Sequence, residues 1–318
     1  MQRFDFMNVM AAKGASYPAT RAAASTPAAA NALVAFDVTY QKTFEKLDRT
    51  MVDGEPGIIR SAVYTKEAWR FEFSTYLSGS GTAGTAPGWR IPMRACGMTE
   101  TIVPSGGSAG VTYSLASIHA THEWCDLSLG HALENIFAHG ARGNYQIELP
   151  TGALPFIRWT FDGAYNEPTN EAMVTPVYTA QPPAKPVDVA NTTICTVGGA
   201  PVCLNNFTFT PGNMVTLKDD AACVKEFFIT GREPGGQIVL RTPAELATFN
   251  AWQKATAGTL DPVQIQHGPA GNRITINLSG IEYDVSQPTN VDGIKYTTIA
   301  YRASHTEGNP SVGSIVVA

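Results

Sequence analysis

Three short stretches of this chain hold residue types that do chemistry in other settings. The first is His119, His122 and Cys125, with Glu123 among them. A His-x-x-His pair with a thiol three residues on offers nitrogen and sulfur donors of the kind that hold zinc. On a strand, residues three apart point to opposite faces, and no fourth ligand is evident. His131 and His139 follow without site-like spacing, so polar histidines at strand ends are the plainer reading. The second stretch, Gly106-Gly107-Ser108-Ala109-Gly110, matches G-x-S-x-G. That turn presents a nucleophilic serine between a strand and a helix. Here a strand pattern, 111–115, follows instead, and no triad partner stands out. The third stretch, Gly79-Ser80-Gly81-Thr82-Ala83-Gly84, matches G-x-G-x-x-G. A dinucleotide site needs a helix to open at once, inside a βαβ unit. Pro87 and Pro92 break up that segment, and a flexible surface loop fits better. The carboxylates Glu45, Asp48, Asp53, Asp219 and Asp220 fall in expected loops, with no sign of the converging pair a glycosidase needs. No catalytic, cofactor or metal residue is assigned. The expectation is a protein that is not an enzyme and needs no cofactor.

The composition points the same way. Of 318 residues, 44% are hydrophobic and 15% charged, with a net charge of −5. A charged share below the typical ~25% suits either a surface largely covered by neighbours or a neutral secreted β protein. With no basic run, tight binding of nucleic acid through phosphate neutralisation is not expected, although DNA can still slide past such a surface. The five cysteines are odd in number and form no CxxC. Neither a zinc site nor a disulfide framework is indicated. Cys195 and Cys203 are candidates to pair in an exported protein, while free thiols suit a reducing cytosol. Residues 1–30 lack the basic start and apolar run of a secretory signal. No apolar run approaches the ~18 residues of a membrane helix.

The elements that must position these residues are mostly strands. Residues 69–77 alternate cleanly, with Trp69, Phe71 and Phe73 on one face and Arg70, Glu72 and Ser74 on the other, the period of a half-buried strand. Stretches 35–40, 111–115, 144–149 and 156–161 continue the pattern, with Asp162-Gly163 as a closing turn. Residues 128–139 stay ambiguous: Leu129, Leu133, Ile136 and Phe137 fit helical spacing, but Gly130 weakens it. Further on, 206–210, 224–231, 237–241, 273–278 and 294–301 are expected strands, with Asp292-Gly293 turning into the last. Thr242, Pro243 and Glu245 form a helix start with a capping box. Leu246, Phe249 and Trp252 or Gln253 follow at helical spacing, and Gly258 is the stop. Strands and helices do not alternate, which argues for antiparallel β with a packed helix.

The order of these elements repeats. An extended arm over 1–32 precedes a first unit, 33–165. A Pro-rich linker, 166–203, leads to a second unit, 204–303, and a tail, 304–318. Each unit opens with a strand (35–40; 206–210) and a longer one (69–77; 224–231). Each goes on through a Gly-rich turn to a short helical piece ending at Gly97 or Gly258. More strands follow, the last ending in Tyr165 or Tyr301.

Several local patterns, in this order, resemble a known family. They are Ala30-Asn31-Ala32-Leu33, the run from Leu77 through the glycines to Pro87, and Arg94-Ala95-Cys96-Gly97. Gly140-Ala141-Arg142-Gly143 follows, with an alternating strand and then Gly152-Ala153-Leu154-Pro155-Phe156. The second unit adds Gly231-Arg232-Glu233-Pro234, Gly268-Pro269-Ala270-Gly271-Asn272 and Asp292-Gly293-Ile294. Together they resemble the tail tube (major tail) proteins of long, flexible-tailed bacteriophages. The resemblance implies a mainly β fold of two tandem tail-tube-like β-sandwich units. Each unit has a flanking α-helix and contributes strands to an inner β-barrel ring. It implies a virion tail protein, assembled in the host cytoplasm. Its partners would be itself, in stacked homotrimeric rings, together with tape-measure and tail-end proteins, and DNA would pass through the lumen unbound. The polar stretch 41–60, expected as a long loop, is the candidate to reach the next ring, with Phe44, Glu45, Lys46, Asp48, Arg49 and Asp53. The arm 1–32 is a second candidate bridge. A second unit serving as outer decoration would instead give true hexamers. The competing class is a β-sandwich receptor-binding or adhesin module, which predicts an exposed aromatic patch; Trp124, Trp159 and Trp252 lie on separate elements.

Overall fold

A computed structural model describes residues 7–48, 62–116, 121–131, 133–178, 181–241, 249–304 and 312–318. In chain order the first elements are β1 (Met7–Ala12), β2 (Ala32–Leu33), β3 (Ala35–Leu47), β4 (Val63–Tyr76), α1 (Arg90–Ala95), β5 (Met98–Val103) and β6 (Gly110–Leu115). Next come β7 (Cys125–His131), β8 (Glu134–Pro150), β9 (Phe156–Ala164), β10 (Thr169–Asn170), β11 (Thr192–Val197), β12 (Ala200–Pro201) and β13 (Leu204–Thr210). The rest are β14 (Asn213–Lys218), β15 (Glu226–Arg232), β16 (Gly235–Arg241), α2 (Ala251–Ala257), β17 (Asp261–His267), β18 (Ile274–Val291), β19 (Ile294–Ser304) and β20 (Gly313–Val317). The protein is mainly β, and every pairing between these strands is antiparallel.

Eight strands form one unbroken run, β3–β4–β9–β8–β13–β16–β19–β18. The order within its first four, β3–β4–β9–β8, recurs in β13–β16–β19–β18. In both sets the second strand leads towards a short helix, and the fourth strand is the longest. β8 pairs with β7 over its first half and with β9 over its second. β18 likewise pairs with β17 and then β19. In each, one extra residue interrupts the ladder to the next strand, between His139 and Arg142 on β8 and between Tyr283 and Ser286 on β18. Such a bulge bends a strand and increases its twist.

The bent halves feed the opposing layer. On one side this layer holds β2, β1, β7 and the start of β8. On the other it holds β5–β6–β20–β18–β17–β11–β12. The core lies between the layers. One cross-strand row, Thr75–Ile157–Ile147–Phe209–Gly236–Tyr301–Tyr283, runs from β4 to β18 on the core face. Trp159 has no exposed surface, and its indole N–H donates to Thr75 Oγ1 at 2.9 Å. Each large side chain so buried contributes roughly 2–3 kcal/mol.

Several expectations need correction. Residues 41–47 are strand, not loop: they continue β3, whose charges pair across the hairpin, as in Lys66–Glu45 at 2.9 Å. The described residues of 128–139 hold no helix: 128–131 belong to β7 and 134–139 to β8. All seven β7 residues are buried, so no alternation marks them as strand. Asp162 and Gly163 lie within β9 rather than in a turn. A Cβ at Gly163 would come within 2.9 Å of Ala138 and Ala141 Cβ, so the glycine admits the bulged strand alongside. Ser74, expected on the outer face, is buried. The strand over 224–231 is β15, which pairs only with β14 among the described strands; β16 takes the expected second place in the sheet. The arm packs on its own chain, with β1 between β2 and β7. The stretch 166–203 ends in β11, which pairs with β17, and 304–318 contains β20. The capping box at 242–245 and Leu246 lie outside the described residues. The helix α2 begins later than expected, at Ala251 with Asn250 as its cap, so Phe249 precedes it rather than lying on it; its stop at Gly258, with φ 62°, is as expected. Asp292 (φ 52°) and Gly293 (φ 81°) make the expected tight turn, whose type requires positive φ at both positions.

Candidate functional site

The stretches singled out for chemistry are engaged in structure. His122 Nε2 lies 3.1 Å from Arg232 Nη2 and 3.4 Å from Ala116 O. Cys125 is wholly buried, and burial pushes its thiol well up. His119 lies outside the described residues. Among the described residues no group of three or more His, Cys, Asp or Glu is placed to hold a metal ion. Ser108 sits exposed in the turn joining β5 to β6, with a strand on both sides; a nucleophile elbow has a helix on one side. The 79–84 glycines form a loop whose Gly79 N–H donates to Asn272 Oδ1, and α1 begins only at Arg90. No described helix is long and apolar enough to cross a membrane.

Two arginines, Arg142 buried and Arg232 half-buried, organise one end of the first four-strand set; both fall in the motifs that carry the resemblance, with no role attached to them there. Arg142, 5% exposed, follows the β8 bulge. It pairs with Glu226 at 3.1 Å and donates to the carbonyls of His122 and Glu123, both at 3.1 Å, and of Phe227. Arg232 donates to Ala116 O at 2.6 Å, Gly97 O at 2.8 Å and Asn213 Oδ1 at 2.9 Å. Gly97 has φ 74°, and a Cβ there would strike Arg232. Through these contacts the β14–β15 hairpin caps the first set, with Phe227 buried beside Ala68 and Ala164. The hydrogen-bond partners lie from 19 to 135 residues away along the chain, and most are backbone carbonyls. A lone Arg-Gly-Asn or Gly-Arg-Glu gives no hint of them.

Beyond the cap, much of the face of the eight-strand run turned away from the core is polar, with Phe36, Tyr76 and Phe156 forming an aromatic cluster at one place on it. One row is Thr39–Glu72–Thr160–Asn144 and another Glu148–Thr208–Gln237–Ala300. Among its described, unburied charges, Arg70, Arg158, Arg241 and Arg302 stand against Glu72, Glu148, Asp162, Glu282 and Asp284. Arg70 grips Asp162 with two bonds, at 2.8 and 3.0 Å, and Arg158 lies 3.6 Å from Glu148. Such a face carries no excess of positive charge to hold phosphate.

Both ends of the run are open. Among the described strands β3 pairs only with β4, and residues 282–291 of β18 pair only with β19. At the far end of the β3–β4 hairpin, Phe44 (51% exposed) meets Tyr64 (55%) edge to face at 4.9 Å, with Leu47 and Val63 also exposed. Glu45 and Lys46 follow Phe44 on β3, and Lys46 reaches Asp48 at 2.9 Å. The other two expected loop residues, Arg49 and Asp53, lie outside the described residues. The structure thus brings Phe44, Glu45, Lys46 and Asp48 together on an exposed hairpin end. No family model matches this chain, and no curated protein matches it.

Proposed function

We infer that this chain is a structural subunit of a bacteriophage tail tube, assembling into stacked rings that conduct DNA into the host. The observation that carries the reading is the repeated order β3–β4–β9–β8 and β13–β16–β19–β18 within one continuous sheet. Two four-strand sets per chain, each backed by an opposing layer and each with a short helix after its second strand, support a reading as two tandem tail-tube-like units. Three chains then supply six sets, a homotrimeric ring with pseudo-sixfold symmetry. Closing the sheet into an inner barrel removes its open edges. The polar face, with arginines largely matched by carboxylates, lines the bore and lets DNA pass unbound. The hairpin end carrying Phe44 and Tyr64 reaches the adjoining ring. Tape-measure and tail-end proteins complete the assembly, built in the host cytoplasm and carried in the virion tail.

Electron microscopy of the concentrated protein tests this, with threefold rings or hollow tubes as the expected outcome. Monomers at every concentration and salt condition tried would remove the reading. The exposed Phe44–Tyr64 tip also favours a second reading, a receptor-binding or adhesin module. The two separate on one variant: Phe44→Ser with Tyr64→Ser leaves rings but abolishes stacking if the tip joins rings, and leaves assembly untouched if it binds a receptor.

A further inference from the structure

A cavity of about 280 Å³ lies against residues 181–184, where the end of β4, the approach to α1 and the turn after β8 meet. Thr75, Ser78 and Trp89 line it and are 4, 6 and 3% exposed. Tyr76 and Leu154 also line it and are exposed, so the cavity runs from the interior to the surface.

Its walls are held in place. The Trp89 indole N–H donates to Ser78 O at 2.8 Å, and the Tyr113 ring supports the indole at 5.2 Å between centroids. Gln181 is tied to β2 and the residue after it: its Oε1 accepts from the Val34 N–H at 2.8 Å, and its Nε2 donates to Ala32 O at 2.9 Å. Further along, Val187 N–H donates to Ala153 O at 2.9 Å, and Val187 O accepts from the Gly152 N–H at 2.8 Å. Between these two anchors runs Pro182-Pro183-Ala184-Lys185-Pro186. Proline has no N–H, so such a strap can bound an apolar space without stranding donors over it.

The lining selects a kind of ligand. None of the described lining residues is charged, so a charged molecule would lose its hydration with no partner to replace it. Trp89, Tyr76, Pro182 and Pro183 offer flat apolar surfaces, which suit a planar ring. Ser78 brings a hydroxyl that can donate or accept. Thr75 Oγ1 accepts from Trp159, which leaves its own hydrogen to give. Volume sets the size: an apolar cavity of ~150 Å³ takes one benzene ring, and this one is nearly twice as large.

We propose that this cavity binds a small, neutral, planar molecule of two fused rings that carries one hydroxyl or carbonyl. The site goes beyond the tube reading and does not depend on ring formation. A ligand there would fasten the 181–187 strap to the first unit, between β4 and α1.

Titration of the full-length protein with 2-naphthol tests it, by calorimetry and by the Trp89 indole N–H signal in NMR, assigned with Trp89→Phe. The expected result is one site per chain with a Kd below about 1 mM and a progressive shift of the Trp89 signal. Ala184→Phe, which fills the space, should weaken binding at least about tenfold, and Ser78→Ala roughly two- to tenfold. Thermal denaturation checks that each variant is folded, and Ser78→Ala still decides the matter if Ala184→Phe is not. The charged analogue 2-naphthalenesulfonate should bind at least about tenfold more weakly. A Trp89 signal that stays fixed up to the solubility of 2-naphthol would overturn the site. So would affinity unchanged in both folded variants, or equal binding of the sulfonate. Each of these results leaves the ring reading where electron microscopy puts it.

Discussion

Trp159 shows what a single side chain contributes. It fills the space between Phe73, Phe161 and Tyr145 and satisfies its one donor on Thr75. Trp159→Ala should cost roughly 3–5 kcal/mol in chemical denaturation, through lost burial and the cavity left behind. Histidines set a pH limit. Asn166 Nδ2 lies 2.9 Å from His139 Nδ1, and His267 sits between Thr192 Oγ1 at 3.0 Å and Lys185 O at 3.1 Å. Burial holds both imidazoles below their ordinary range. For His139, Arg21 and Lys225 add to this and the Asn166 bond opposes it; for His267, the Lys185 bond and Asp188 oppose it. The folded state therefore binds fewer protons than the unfolded chain just below pH ~6.5. The stability this supplies is present above the unfolded value and is lost as pH falls from there towards the depressed folded values. Replacing both, His139→Gln with His267→Gln, should flatten the fall in Tm between pH 7 and 5; an unchanged slope would assign the fall to other groups. At this scale the sequence was readable where alternation was clean, as at Trp69, Phe71 and Phe73. It placed Arg142 and Arg232 only within family-like motifs and was silent on their acceptors, most of which are backbone carbonyls on other elements.

At the scale of elements, local signals worked where a backbone angle demanded a particular residue. Asp292-Gly293 and Gly258 announced their turn and helix end because few residues tolerate positive φ. Signals failed where burial was two-sided, as in β7, and where a glycine served close packing rather than a turn, as at Gly163. The repeat was legible as an order of elements, yet β15 stood in for β16 in that order, because pairing partners are not written in a strand's own pattern. β20 is the least foreseeable element. It lies between β6 and β18, with Ile315 and Val317 each 2% exposed. Deleting 313–318 should cost roughly 4 kcal/mol from these two side chains alone, read as a lowered denaturation midpoint.

At the scale of the whole molecule, an antiparallel sheet with two unsatisfied edges is a hazard unless something meets them. Charges at the β3–β4 end and Pro288 on β18 temper self-pairing without forbidding it. The proposed ring would use both edges and leave a mostly polar wall with nearly balanced charge. Nothing in a single strand's composition could announce this, because it is a property of eight strands in sequence.

β20 has a further consequence. It stitches residues 111–114 to 314–317, and β8 is held to β13 on the other layer. Covalent continuity between the two sets is therefore dispensable once the chain has folded. The strand-poor stretch between β10 and β11 is where a protease should cut first. The nicked protein should run as two fragments under denaturing electrophoresis, yet elute as one particle by size exclusion. Halves that drift apart would show that the shared sheet is weaker than its ladders suggest. Such non-local pairing also slows folding, so the two fragments expressed separately should find each other less readily than the intact chain closes on itself.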